Sequence, residues 1–203
     1  MGCAIPFKDG HTPLADFLLW CGGQGCPTLP AAWLRPEAWA RVLRREWNAV
    51  AAECLGHWAR HSLPLVVTRQ SVCVAGPDTV AMGLPAPDRW ERQRIALGIP
   101  RADVLYFDEF PRAEQVIALL PEAARTQWRT LCAGLAACGA VARVHGSYGW
   151  LHLTGLDHVR ASSDIDMIPK FWFVPQKSML FVPSTGVPAF VIQTWPYVAQ
   201  SNA

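Results

Sequence analysis

Apolar and polar positions along the 203-residue chain change period several times, and each change predicts an element. Residues 1–32 are rich in Gly, Pro and Cys and predict irregular structure around one apolar patch at 17–20. From Pro36, a residue suited to the first position of a helix, Trp39, Val42, Leu43 and Trp47 fall on one helical face. A second helical piece is predicted over 53–61. The β-branched run "LPLVVTRQ" (63–70) reads as a strand and "TVAMGL" (79–84) as another. Gly76, Pro77 and Asp78 lie between them as turn material, so the pair predicts a hairpin. "PDRWERQRIALG" (87–98) predicts a helix, with Asp88 as its cap and Glu91 where a capping box places an acid. "ADVLYFDEFP" (102–111) is extended and ends at a proline, which places a domain boundary near residue 110.

The second half is more regular. Pro121 opens a helix whose apolar residues 124, 128, 131, 135 and 138 alternate gaps of four and three, and Gly139 closes it. "AVARV" (140–144) is a short strand. Gly146 and Ser147 turn out of it into a helix carrying Tyr148, Trp150, Leu151 and Leu153, which Thr154 and Gly155 end. "SSDIDMI" (162–168) is the next strand. The class is α+β, with a small N-terminal α/β subdomain over 1–110 and a second domain over 111–203.

Composition narrows the class of protein. Hydrophobic residues make up 51% of the chain and charged ones 17%, which excludes wholesale disorder. The net charge of +2 gives no argument for nucleic acid and does not repel an acidic protein partner. Ten tryptophans predict core packing and subdomain contact, with a stacking platform as the alternative. Seven cysteines show no paired-ligand spacing: Cys21 and Cys26 are five apart, Cys132 and Cys138 six apart. A zinc site is not expected, and free thiols in odd number suit a reducing cytoplasm. Lys8, Asp9, His11 and Asp16 break up any secretory pattern, and prolines 175, 183 and 188 with Lys177 interrupt the apolar stretch 171–195. A soluble cytoplasmic protein without a membrane span is the expectation.

The chemistry lies in the order helix, strand, Gly-Ser turn, helix, acidic strand. Side chains at i and i+2 of a strand share a side, so Asp164 and Asp166 project together while Ile165 points the other way. Two adjacent carboxylates repel unless a proton or a cation sits between them, and hard oxygen ligands of this kind suit magnesium. Gly146 lets a phosphate approach the backbone, Ser147 offers a hydroxyl, and a helix N-terminus presents unpaired N–H groups. Phosphate on one side and metal on the other is a layout for nucleotidyl transfer. His145 beside the turn reads as a hydrogen-bonding residue before it reads as a catalytic one. Arg89, Arg92 and Arg94 read as a solvated face, or as contacts to phosphates.

"HGSYGWLHLTGLDHVRASSDIDMI" resembles the signature of the phosphoribosyl-dephospho-CoA transferases, the holo-acyl-carrier-protein synthases of malonate decarboxylase, within the polymerase-β-like nucleotidyltransferase superfamily. "LPLVVTRQ" and "TVAMGLPAPDRWERQRIAL" resemble the same family's N-terminal region, and the resemblance covers roughly 63–168. It implies a polymerase-β-like second domain and an N-terminal subdomain that binds substrate or partner. It implies transfer of the phosphoribosyl-dephospho-CoA group from a triphosphate precursor to a serine of the malonate decarboxylase acyl carrier protein, with loss of pyrophosphate. Asp164 and Asp166 would be the catalytic, magnesium-binding pair. Gly146 and Ser147 would contact phosphate, and Gln93 and Arg94 match a Gln-Arg helix grouped with them.

The resemblance also implies a further acid-bearing strand, yet no Asp or Glu follows Asp166. The tail 169–203 departs from the family's pattern, though "KFWFV", "SMLFV" and "AFVIQTW" read as strands that could cover the sheet. Asp157, Asp108 and Glu109 are the acids available as substitutes. Two alternatives stand beside the transferase: a different minimal nucleotidyltransferase, and a non-catalytic remnant that binds the carrier protein.

Overall fold

The computed structural model describes residues 31–68, 78–171 and 190–192. The apolar patch at 17–20, Cys21, Cys26, the turn residues 76–77 and the strand expected at 178–182 lie outside these. The fold is α+β, and the chain divides into two compact units, Met1–Glu109 and Phe110–Ala203.

The first unit is built on a five-stranded antiparallel sheet in the order β4-β3-β2-β1-β5. Its strands are β1 (Ala31–Leu34), β2 (Leu65–Val67), β3 (Thr79–Pro85), β4 (Arg94–Pro100) and β5 (Val104–Asp108). β2 and β3 pair as the expected hairpin, with Val66 opposite Gly83. β1 stands between β2 and β5, where Trp33 stacks on Tyr106 with ring centroids 4.9 Å apart.

Two helices follow β1. Helix α1 (Pro36–Leu43) starts at the proline, as expected, and buries Ala38, Trp39 and Val42. It ends sooner than the apolar stripe: Leu43 is exposed, and Trp47 lies past the helix, its Nε1–H donating to Val42 O at 2.9 Å. Helix α2 (Ala49–His61) begins four residues before the predicted start, because the Asn48 side chain caps it by accepting the Ala51 N–H at 2.8 Å. The ion pair of Arg41 with Asp103 and the Arg35 N–H donated to Asp103 O tie α1 to the turn before β5.

The helix expected over 87–98 does not form. Asp88–Trp90 is a single 3-10 turn, and Glu91 and Arg92 take left-handed backbone angles, φ +55° and +53°. Gln93 and Arg94 therefore lie at the end of a turn and the start of β4, not on a helix. The reason is the ladder with β3, which pairs seven residues from Pro85–Arg94 to Thr79–Pro100 and buries Ile95, Leu97 and Ile99 in alternation. Asp88 is engaged by Arg92 in an ion pair instead of capping a helix.

The second unit contains a 3-10 segment (Ala113–Leu119), α3 (Glu122–Ala137), β6 (Ala140–Val144), α4 (Gly146–Thr154), β7 (Ile165–Phe171) and β8 (Phe190–Ile192). β7 is the middle strand, antiparallel to β6 and parallel to β8. Its core joins Val116, Leu120, Trp128, Cys132, Val144 and Ile165 with their neighbours. Trp128 is fully buried, and its Nε1–H donates to Ala113 O at 2.7 Å, which fixes the 3-10 segment against α3. Of the tail, Phe190–Ile192 forms the strand expected within "AFVIQTW". No helix among the described residues is long and apolar enough to cross a membrane.

Candidate functional site

β6 and β7 run antiparallel with Val144 opposite Met167, so the end of one strand lies beside the start of the other. The chain leaves β6 at His145, whose N–H donates to Asp166 O at 2.8 Å, and enters α4 at Gly146. This register brings Gly146, Ser147, Asp164 and Asp166 to one end of the three-stranded sheet. Ile165 and Met167 are fully buried, whereas Asp166 is half-buried and Asp164, just ahead of the strand, is exposed. Asp166 thus leaves the core on the side that Ile165 avoids, as the alternation predicts, whereas the strand starts at Ile165 and not at the expected residue 162, so alternation within it does not place Asp164.

Gly146 has φ +58°, and a Cβ placed on it would collide with Asp166 Oδ2 and stand 3.0 Å from Asp166 Cγ. The glycine makes room for a carboxylate of the same chain; the sequence alone gave it the task of admitting a phosphate. Three residues on, a Cβ at Gly149 would lie 2.5 Å from Val144 O and 2.8 Å from the Phe110 ring, so α4 also approaches β6 closely. Phe110 packs its ring on His145, centroids 4.5 Å apart, and meets Trp150 edge-on at 5.4 Å. Arg143 donates to Phe110 O at 2.8 Å, which holds this wall in place.

Burial, and secondarily the negative charge of Asp164, pushes the Asp166 carboxyl above its ordinary value. Both effects penalise the ionised pair, and a cation between the acids would relieve both. Two carboxylates with open solvent on the Asp164 side form a donor set that suits magnesium, which keeps waters among its ligands. The set stops at two: among the described residues no cluster of three His, Cys, Asp or Glu side chains is disposed to hold a metal ion, so Asp157 does not complete it, and Asp108 and Glu109 belong to the first unit. On the other edge of β7, Val191 is the register partner of Asp166. The strand beside the acid pair therefore presents no acid.

Sequence reasoning passed over Ser163. Its Oγ accepts the Arg160 N–H at 2.8 Å and lies 3.5 Å from Ser147 Oγ. The only signal was its place immediately before the first aspartate. Gln93 and Arg94 belong to the first unit: Gln93 Oε1 accepts weakly from Asn48 Nδ2 at 3.4 Å, and Arg94 is exposed at the head of β4.

Comparison with known proteins bears on both units. Residues 18–110 match the phosphoribosyl-dephospho-CoA transferase MdcG N-terminal domain, and residues 111–179 match the corresponding C-terminal domain. A phosphoribosyl-dephospho-CoA transferase of Bradyrhizobium diazoefficiens is 33% identical over 139 residues, covering 67% of this chain and 59% of the relative. One from Xanthomonas euvesicatoria pv. vesicatoria is 33% identical over 67% of this chain and 62% of its own length. One from Xanthomonas campestris pv. campestris is 28% identical over 84% of this chain and 74% of its own length. The matched part of the chain thus spans about three fifths of the first two relatives, and the domain match ends before β8. No solved structure matches the chain significantly. With its two halves matched in order by the two domains, the chain belongs to the phosphoribosyl-dephospho-CoA transferase MdcG family.

Proposed function

We propose that the chain transfers the phosphoribosyl-dephospho-CoA group from its triphosphate precursor to a serine of the malonate decarboxylase acyl carrier protein. The serine oxygen forms a bond to the phosphorus of the transferred group as the bond to pyrophosphate breaks, and the serine proton leaves to solvent. The observation that carries this reading is the packing of Asp166 on Gly146, which sets two acids beside a Ser147 hydroxyl at the start of a helix. Membership of the family supplies the choice of donor and acceptor.

The second unit is the nucleotidyltransferase-like part, with a polymerase-β-like arrangement. Asp164 and Asp166 would hold magnesium there, and the ion would supply charge neutralisation for the phosphates and the departing pyrophosphate. Gly146 and Ser147 orient the phosphate from the other side, Ser147 by its hydroxyl and the helix start by its N–H groups. Burial of Ile165 and Met167 fixes the direction of the Asp166 carboxylate between them before substrate arrives. The first unit holds substrate or partner, and the exposed Arg94 with Gln93 at the start of β4 offers donors for a phosphate group.

The test is transfer of labelled prosthetic group to apo carrier protein in the presence of magnesium, with Asp164→Asn and Asp166→Asn beside the parent. Both variants should lose transfer. Equal transfer by all three proteins overturns the assignment of the acid pair.

A second reading is favoured by the two-member donor set and by Val191 opposite Asp166. In it the chain binds the carrier protein without transferring the group. Capture of the carrier protein by a chain that neither transfers label nor binds the donor with magnesium selects this reading.

A further inference from the structure

The turn that leads into β7 brings a second hydroxyl to the acid pair. Ser163 Oγ accepts the Arg160 N–H at 2.8 Å, and the Ser163 N–H donates to Arg160 O at 3.0 Å, so one short turn fixes both the backbone and the side chain of this residue. The turn delivers Ser163 Oγ to within 3.5 Å of Ser147 Oγ, across sixteen residues of sequence. Both serines are half-buried, and both adjoin groups already placed in the site: Ser147 follows Gly146, and Ser163 precedes Asp164.

The spacing of the two oxygens is informative. At 3.5 Å they are farther apart than an ordinary O–H···O bond of about 2.7–2.8 Å. An oxygen about 2.8 Å from each closes a triangle on that base, so both hydroxyls can donate to one acceptor at ordinary length. One lone pair of Ser163 Oγ is engaged by the Arg160 N–H, which turns the hydroxyl proton away from the turn and toward the Ser147 side. A serine is a donor and an acceptor at once, and this arrangement selects the donor. Two donors converging on one point suit an oxyanion, and a phosphate oxygen is the oxyanion the proposed donor carries.

We propose that Ser163 and Ser147 form a paired hydroxyl clamp on one phosphate oxygen of the triphosphate donor, with Ser163 as a substrate-binding residue. The proposal rests on the transferase reading above. It gives the turn Arg160–Ser163 a use beyond connecting α4 to β7: it joins the phosphate contact directly to Asp164, so that the phosphate and the acid pair share one rigid piece of backbone.

The experiment compares Ser163→Ala, Ser163→Thr, Ser147→Ala and the double alanine variant. Binding of inorganic tripolyphosphate with magnesium is followed by calorimetry, KM and kcat for the triphosphate donor are measured in the transfer reaction, and melting is recorded for each protein. Ser163→Ala should weaken tripolyphosphate binding and raise KM about tenfold, with a smaller change in kcat. Ser163→Thr, which keeps the hydroxyl and its bond to Arg160, should bind close to the parent. The double variant should lose less than the sum of the single ones, because the two hydroxyls share one acceptor. Parental binding and KM in Ser163→Ala overturn the clamp while leaving the transferase intact. So does equal loss in the alanine and threonine variants accompanied by lower melting, which marks a structural role. A parent that neither binds tripolyphosphate nor transfers the group overturns both readings.

Discussion

The carboxylate of Asp166 occupies the space in which any side chain on Gly146 would have to stand. The two residues are twenty positions apart, and the strand pairing of β6 with β7 brings them together. Nothing in the spacing of either motif alone reports this.

Gly146→Ala therefore meets two obstacles at once, the left-handed φ of +58° and the collision with Asp166. The expected cost is about 1–3 kcal/mol of stability. Transfer should fall further than the loss of folded protein explains, since Asp166 must move. Denaturant unfolding together with the transfer assay checks this, and an alanine variant with parental activity refutes the packing argument.

Asp166→Asn should separate stability from function. The folded value of this carboxyl lies above the unfolded one, so the folded state holds the proton more tightly. The stabilisation this confers is present below the unfolded value and is lost as pH rises through the folded value. At neutral pH the ionised group weighs against the fold, and the asparagine should melt higher by about 1–3 °C while abolishing transfer. Melting curves of both proteins in magnesium-free buffer should converge as pH is lowered through that window. An asparagine variant that melts lower than the parent at neutral pH contradicts the assignment.

The buried thiols should be inert. Burial pushes Cys54 up to about 12 and Cys132 up to about 11, which leaves little thiolate at pH 8. Cys138 is exposed at the end of α3. In brief iodoacetamide labelling read by peptide mass spectrometry, Cys138 should be modified at least tenfold faster than Cys54 or Cys132. Equal labelling of the three in folded protein would show that the two cores are not closed as described.

Trp128 should be the most sensitive single position in the second unit. It is fully buried, and its indole N–H, together with the exposed Arg125 bond to Ala118 O, holds the 3-10 segment. Trp128→Ala should cost about 3–5 kcal/mol. Trp128→Phe keeps most of the ring but leaves Ala113 O without this donor, and should cost about 1–2 kcal/mol. Chemical denaturation distinguishes the two.

The second half of the chain was legible because its signals are local. Pro121 and Gly139 bracket α3 as expected, and the order from α3 to β7 follows from period and turn chemistry alone. Asp166, too, could be placed on one side of a strand from alternation, whereas Asp164 stands just ahead of that strand. The first half was harder for a physical reason. "PDRWERQRIALG" carries helix-start signals at Asp88 and Glu91, but Ile95, Leu97 and Ile99 alternate, and a seven-residue ladder to β3 outweighs a cap. β1, with Ala31 and Ala32, has little strand propensity of its own and forms because β2 and β5 pair with it from either side. Ser163 could not be linked to Ser147 without knowing that two strand ends meet. The reason for Gly146 was likewise hidden, since the colliding group belongs to another element.

The place of β7 has a consequence for how the chain is made. Its partner on one side, β6, emerges before it, whereas β8 emerges only after the long connection that follows Phe171. A parallel pairing of this kind is closed late, because it joins residues far apart in the sequence. Until then the strand bearing Asp166 has one uncovered edge, and a bare edge is a template for association with another nascent chain. A charged residue on such a strand acts as a gatekeeper. Asp166 would thus keep the growing sheet from pairing with its neighbours before any substrate meets the finished protein.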